Sequence, residues 1–235
     1  MHPSQFVLPL FVTDSYGPDY DIPGFAPNKQ WSCGRNRDFD TLVSYLKKLQ
    51  PLGLATVMLF GVAKDANSVT AEAGRETADE RGSSADCEDC AVVLALRALR
   101  KGLPDLQLMA DVCLCAATSH GHCGLLRDDP AASAERLIDN DATLLRLTDL
   151  ALTEARAGAH WVCPSDMMDG RVDAIRRGLD KNGFTHVGIL AYTSKKASCM
   201  YGPFRAAVDS KFKEGRDVMW TVRQYRGCPY NFVLC

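Results

Sequence analysis

Short runs of consecutive apolar residues recur along the chain, separated by longer stretches whose apolar positions fall three and four apart. The runs lie at 6–12, 56–60, 106–110, 161–163 and 187–192. Runs of this length without polar alternation predict strands buried on both faces. The stretches 39–49, 92–99, 144–157 and 172–179 carry the helical period, and Gly158 and Gly183 stand where the last two stop. Strand and helix in alternation predict βα units around a parallel sheet, either open and doubly wound or part of an eight-fold barrel. Between the second and third strands, residues 64–89 are polar throughout. That length predicts a mobile, lid-like loop leaving a strand's C-terminal end.

Composition narrows the function classes. A net charge of -2 over 235 residues gives no electrostatic case for nucleic acid or an anionic membrane as partner. No apolar run approaches the roughly 18 residues of a spanning helix, and the first residues lack a signal-peptide pattern. A soluble, cytoplasmic protein is expected. No Gly-x-Gly-x-x-Gly follows the first strand and no Gly-Lys-Ser/Thr loop occurs, which argues against nucleotide binding. Ten cysteines are too many for a chain of this class unless some bind metal, and their spacing is not a disulfide framework. Cys163 and Cys199 sit among apolar or small residues and are expected to be inert.

The third strand runs into Asp111-Val112-Cys113-Leu114-Cys115, followed by Thr118-Ser119-His120-Gly121-His122-Cys123. Three thiols and two imidazoles at a strand end are a metal-site composition, placed where parallel α/β folds collect their chemistry. Three thiolates leave a coordination position open, the catalytic rather than the structural arrangement of zinc. His120 and His122 fit as ligands, outer-shell donors or substrate contacts; spacing does not choose. After the fourth strand, Ser165 and Asp166 fall where a barrel places catalytic groups but could equally cap the following helix, and for Asp169 the N-cap reading is favoured. After the fifth, Lys195-Lys196 reads either as a solvated loop or, if Lys195 leaves a buried strand into a pocket, as a lysine whose desolvated amine attacks a carbonyl as a Schiff-base nucleophile. Arg205 has the fork to clamp a carboxylate.

Taken together, Phe11-Val12-Thr13-Asp14, Phe60-Gly61-Val62, Asp79-Glu80-Arg81-Gly82-Ser83 and the segments 111–126, 164–172 and 197–205 resemble the porphobilinogen synthase (5-aminolevulinate dehydratase) family, in its order. The resemblance covers about 6–207. It implies a single (β/α)₈ barrel domain, here with about five to six βα units, and a divergent tail at 208–235. It implies condensation of two molecules of 5-aminolevulinate into porphobilinogen, the pyrrole precursor of haem, by a homo-oligomer, usually an octamer. Residue by residue, Cys113, Cys115 and Cys123 match the ligands of zinc-type members, where magnesium-type members have mainly aspartate, so Zn²⁺ is the implied cofactor. Asp111 and Ser165 match substrate-binding polar residues, Lys195 the first of two Schiff-base lysines, and Arg205 a carboxylate-binding arginine. Arg81 falls in the family's mobile lid. Lys196 departs from the pattern, which has an aromatic there, and sets a second charge beside Lys195.

The larger departure follows Ala207. Glu214-Gly215-Arg216-Asp217-Val218-Met219 resembles the family's approach to strand six, but Trp220-Thr221-Val222-Arg223 lacks the second lysine, and none occurs after Lys213. Arginine cannot replace it, because its guanidinium stays protonated. Most of the family's N-terminal arm is also missing. A barrel stopped at five or six strands is expected to leave two unpaired edges and an apolar interior open to water. It would close by association or recruit another chain, or its tail 225–235 would cover an edge, unless that tail reflects a mis-assigned coding region. The competing expectation is therefore a catalytically inactive zinc-binding fragment or paralogue that associates with full-length homologues.

Overall fold

The structure, a computed structural model, describes residues 2–62, 78–127 and 138–193, together with Phe204, Ala207 and Val208. Its frame is a seven-stranded sheet in the order β2-β3-β1-β4-β5-β6-β7. The strands are β1 Val7–Thr13, β2 Tyr20–Asp21, β3 Lys29–Ser32, β4 Thr56–Val62, β5 Gln107–Val112, β6 Trp161–Pro164 and β7 Gly188–Ile189. All neighbours are parallel except β2 and β3. Among the described residues four helices alternate with them: α1 Asp40–Leu49, α2 Ala91–Gly102, α3 Asn140–Ala157 and α4 Arg171–Lys181.

Side-chain alternation along the strands separates two faces. Leu10, Val12, Val57, Leu59, Leu108 and Ala110 pack outward against Leu42 and Leu46 of α1 and Val93, Leu96 and Leu99 of α2. Further along the sheet, Val112 and Val162 meet Leu147, Leu150 and Ala151 of α3 and Ile175 and Leu179 of α4. Phe11, Met58, Phe60 and Cys163 point to the other face. Both faces are thus apolar, which is why the strands read as continuous hydrophobic runs. Cys163 is wholly buried there, as expected of an inert thiol.

The helix ends follow from local chemistry. Asp139 caps α3 by accepting from the Ala142 amide at 3.1 Å, and Gly158 ends it at φ 108°, a conformation that favours glycine. At Gly178, α4 comes so close to α3 that an added Cβ would lie 2.3 Å from Thr148 Cγ2.

The two open edges expected of a partial barrel are present among the described residues, but they are short, and the apolar face is covered rather than open to water. The outer side of β1 pairs in parallel with β3 through Phe11↔Gln30, Val12↔Trp31 and Thr13↔Ser32. Pro9, which has no N–H to give, falls outside that pairing. Among the described residues the sheet therefore ends in the two-residue strands β2 and β7, short edges that offer little for a foreign strand to pair with. Nor is the inner face open to water: Phe11 is fully buried, and Met58 and Phe60 are each 7% exposed. Phe204 packs edge-on against Phe11 and Phe60, with centroids at 5.9 and 5.5 Å, and Phe25 lies 5.8 Å from Phe11. Gln30 Nε2 donates to the Ala207 carbonyl at 2.7 Å, and the Tyr192 hydroxyl reaches Met58 Sδ at 3.1 Å. The sequence showed the helix-forming runs but not this cover, because β2, β3 and the covering residues carry no period.

Candidate functional site

β5 ends at Val112, and the chain turns at once into a loop bearing three thiols. Cys113 and Cys115 are half-buried and Cys123 is buried, and their sulfur atoms all lie within 4.8 Å of one another. Leu114 is wholly buried and anchors the loop; its carbonyl accepts from the Ala117 and Thr118 amides, each at 2.9 Å. The Thr118 hydroxyl donates to the His122 carbonyl at 2.8 Å. Gly121, at φ 77°, supplies the left-handed residue of the reversal that returns Cys123 toward Cys113.

These three fit a metal. Thiolates around one tetrahedral zinc at about 2.3 Å stand about 3.8 Å apart, so the sulfurs need to close in by no more than about an ångström. Sulfur donors select soft or borderline ions. Among the described residues no fourth His, Cys, Asp or Glu joins the group, which leaves a position for water or substrate.

The histidines do other work. His120 Nδ1 accepts from the His122 amide at 3.1 Å, so Nε2 carries the hydrogen and points at the Glu80 carbonyl, 3.2 Å away. With both nitrogens engaged, His120 is a clamp rather than a ligand. Burial lowers its pKa below the ordinary histidine value, and burial together with His120 does the same to His122. Both rings are therefore neutral near pH 7.

The clamp holds a second segment, residues 79–90, against the thiol loop. The Asp79 amide donates to the Ala117 carbonyl at 3.2 Å and the Ser119 amide to the Asp79 carbonyl at 2.8 Å. Asp79 Oδ1 accepts from the Arg81 and Ser83 amides, each at 2.9 Å. From α3, Arg146 grips Asp86 with both ends of its fork, at 2.7 and 3.0 Å, and the Gly82 carbonyl at 3.0 Å. The described part of the expected lid, Arg81 included, is thus tied down by hydrogen bonds; residues 64–77 lie outside the described residues.

On the neighbouring strand ends, Asp111 pairs in register with Cys163 and is half-buried on the inner face. The Ser165 amide donates to the Val112 carbonyl at 3.2 Å, extending the β5–β6 ladder by one residue, and Ser165 is buried. Asp166 is wholly buried. Its Oδ1 accepts from the Met168 amide at 2.8 Å, and Oδ2 lies 3.7 Å from Arg171 Nε. Burial pushes its carboxyl up to about 7, against the pull of Arg171 and with a further push from Cys113. Arg171 also donates to the carbonyls of Met168 and Tyr192, at 3.0 and 2.8 Å, and so ties the end of β6 to the chain leaving β7. Asp169 is not the helix cap the sequence suggested. Gly170, at φ 75°, precedes α4, and the backbone of Asp169 pairs instead with the Asn140 side chain, at 2.9 and 3.2 Å.

The structure therefore gathers Cys113, Cys115 and Cys123 and sets Asp111 and Ser165 on the adjoining strand ends. Lys195 and Arg205 lie outside the described residues, as do Lys196 and Cys199. One group near the site escaped the sequence reading. Glu154 of α3 is 1% exposed, and neither carboxylate oxygen has a hydrogen-bond partner. Burial, with Asp111 and Asp86 nearby, raises its pKa well above the ordinary carboxyl value. Its signal was a charge on the apolar stripe of Leu147, Leu150 and Ala151.

Comparison with known proteins places this arrangement. The family model for delta-aminolevulinic acid dehydratase matches residues 1–224. A Bos taurus delta-aminolevulinic acid dehydratase is 43% identical over 211 residues, 88% of this chain and 56% of that protein. One from Streptomyces coelicolor is 38% identical over 220 residues, 92% of this chain and 59% of that protein. In structure, the chain resembles the Toxoplasma gondii ME49 delta-aminolevulinic acid dehydratase (porphobilinogen synthase), crystallised with the reaction product porphobilinogen. The TM-score is 0.77 at 36% identity, covering 92% of this chain and 55% of that one. The chain thus spans a little over half the length of the relatives it matches, and its parallel α/β sheet is of their barrel type. By its motifs, its fold and the family model, this chain belongs to the delta-aminolevulinic acid dehydratase family.

Proposed function

We propose that the chain supplies the zinc side of a site that condenses two molecules of 5-aminolevulinate to porphobilinogen. The observation that supports this most is the convergence of Cys113, Cys115 and Cys123 where β5 ends, beside Asp111 and Ser165. The three cysteines hold the ion, and when bound it supplies Lewis acidity to a substrate oxygen. Asp111 orients and accepts a proton from the substrate amine, and Ser165 fixes a substrate polar group by hydrogen bonding. Lys195 attacks the keto carbon of one substrate molecule as a neutral amine, and loss of water leaves a Schiff base. Arg205 binds that molecule's carboxylate through its fork. Wholly buried Leu114 and Thr118 keep the thiol loop in place while substrate comes and goes.

We further propose that residues 1–235 form one barrel-type domain, resembling the family over about 6–207 and ending in a divergent tail at 208–235, in a cytoplasmic homo-oligomer or an assembly with full-length homologues. Among the described residues no helix is long and apolar enough to cross a membrane.

Borohydride trapping of labelled 5-aminolevulinate on the zinc-loaded chain tests the lysine. Label is expected at Lys195 and is lost in Lys195→Ala; label that survives the substitution overturns the assignment. Bound zinc, measured by elemental analysis, falls in Cys115→Ala, and unchanged metal content refutes the ligand set. Pyrrole formation by the chain alone or mixed with a full-length homologue tests the assembly.

A further inference from the structure

A second sulfur centre lies outside the three-thiol group. Cys87-Glu88-Asp89-Cys90 closes the segment that leads into α2, with Cys90 as the residue preceding the helix, at φ -70° and ψ 155°. The Cys90 amide donates to the Cys87 carbonyl at 3.0 Å. That i→i+3 bond marks a β-turn, in which the end Cα atoms stand less than about 7 Å apart, and disulfides span Cα separations of about 4.4–6.8 Å. Cys87 packs against the core cluster that holds Cys90. Both are in the reduced form.

The two sulfurs differ in access. Cys90 is 6% exposed and packed in the core between the sheet and α2, whereas Cys87 is half-buried, with its thiol directed to the Ser84 carbonyl at 3.4 Å. Cys87, then burial, raises the Cys90 pKa well above the ordinary thiol value, which leaves Cys87 as the attacking thiol of the pair. The start of a helix favours negative charge developing on a nearby sulfur, and a Cys-x-x-Cys pair within a βαβ unit has the arrangement of a redox dithiol. The turn is braced on its flanks: Asp86 by Arg146, Glu88 by Arg97, and Asp89 by Arg37 at 3.2 Å. Joining the sulfurs therefore needs little backbone movement.

We propose that Cys87 and Cys90 are a disulfide-forming pair that exchanges with low-molecular-weight disulfides, independently of Cys113, Cys115 and Cys123. The Cys87 thiolate attacks one sulfur of the small disulfide, whose S–S bond breaks and releases one thiol. Cys90 then gives its proton to solvent and attacks the Cys87 sulfur, forming the protein disulfide and expelling the second thiol. The protein pair is oxidised by two electrons and the small disulfide is reduced to two thiols.

The test equilibrates the zinc-loaded full chain in buffers of graded glutathione and glutathione disulfide, then maps cysteines by acid quench, differential alkylation and peptide mass spectrometry. The peptide carrying Cys87 and Cys90 is expected two hydrogens lighter at oxidising ratios, and restored on return to reducing ones. In Cys90→Ser, Cys87 should accumulate as the mixed disulfide with glutathione; in Cys87→Ser, Cys90 should stay a thiol. Uptake of the alkylating agent by both cysteines of the unmodified chain at the most oxidising ratio overturns the proposal. So does a bridge from Cys87 to the three-thiol loop in place of Cys90. The titration of the unmodified chain decides the matter even if a variant folds poorly.

Discussion

Replacing Glu154 by glutamine should stabilise the protein, and the gain should grow with pH. The folded chain holds this carboxyl without a hydrogen-bond partner, 1% exposed, in the last turn of α3, where the helix dipole also disfavours negative charge. Its pKa is raised, so the folded state keeps a proton that the unfolded chain loses above about 4.5. Stability is therefore greatest at low pH and falls as pH rises through that window. Each pH unit over which Glu154 stays protonated costs about 1.4 kcal/mol. Glutamine has the shape of the protonated acid and no proton to hold. Near pH 4 the two proteins should match to about 1 kcal/mol, since both buried groups are neutral and similarly unsatisfied. Across two further pH units the gap should open by about 1.9 kcal/mol while the acid stays protonated, because the unfolded carboxyl loses its proton only around 4.5. Urea unfolding followed by circular dichroism at fixed zinc measures both curves. Parallel curves would refute the reasoning, because they would show Glu154 ionised or paired in the folded state.

Other consequences can be measured in the same way. Arg146→Lys gives up the two-pronged grip on Asp86 and the bond to Gly82, so it should cost about 1–3 kcal/mol and speed hydrogen exchange at the Ser83 and Ser119 amides; unchanged exchange would mean that Arg146 does not hold the 79–90 segment. Gln30→Leu should cost about 1–3 kcal/mol by stranding the buried Ala207 carbonyl, read from the urea midpoint. Gly178→Ala drives a methyl into Thr148 and should cost about 1–3 kcal/mol by forcing α4 from α3; the double substitution with Thr148→Ser, which removes the methyl in the way, should recover much of it.

The outward face of this fold was legible because its helices and strands repeat. Leu42 and Leu46, Val93, Leu96 and Leu99, and Leu147 and Leu150 announce their helices by spacing, and helix bounds fell within a few residues of expectation. The thiol loop was legible for a different reason: few loops carry Cys113, Cys115 and Cys123 so close together. What spacing could not supply was partnership across long stretches of chain. The role of His120 depends on Glu80, forty residues away, that of Asp86 on Arg146, and the burial of Phe11 on Phe204. Asp169 was misjudged because Asn140, from another helix, takes up its backbone. Glu154 shows the reverse case, a charge whose helical position forecast burial but was read only as part of the period.

The three thiols belong to a single loop. Cys113, Cys115 and Cys123 all hang from one excursion between β5 and α3, and Cys123 also packs into the core beside Val112 and Leu147. Exchanging the side chains at positions 113, 115 and 123 would therefore stay within one loop, but at 123 it would also repack the core.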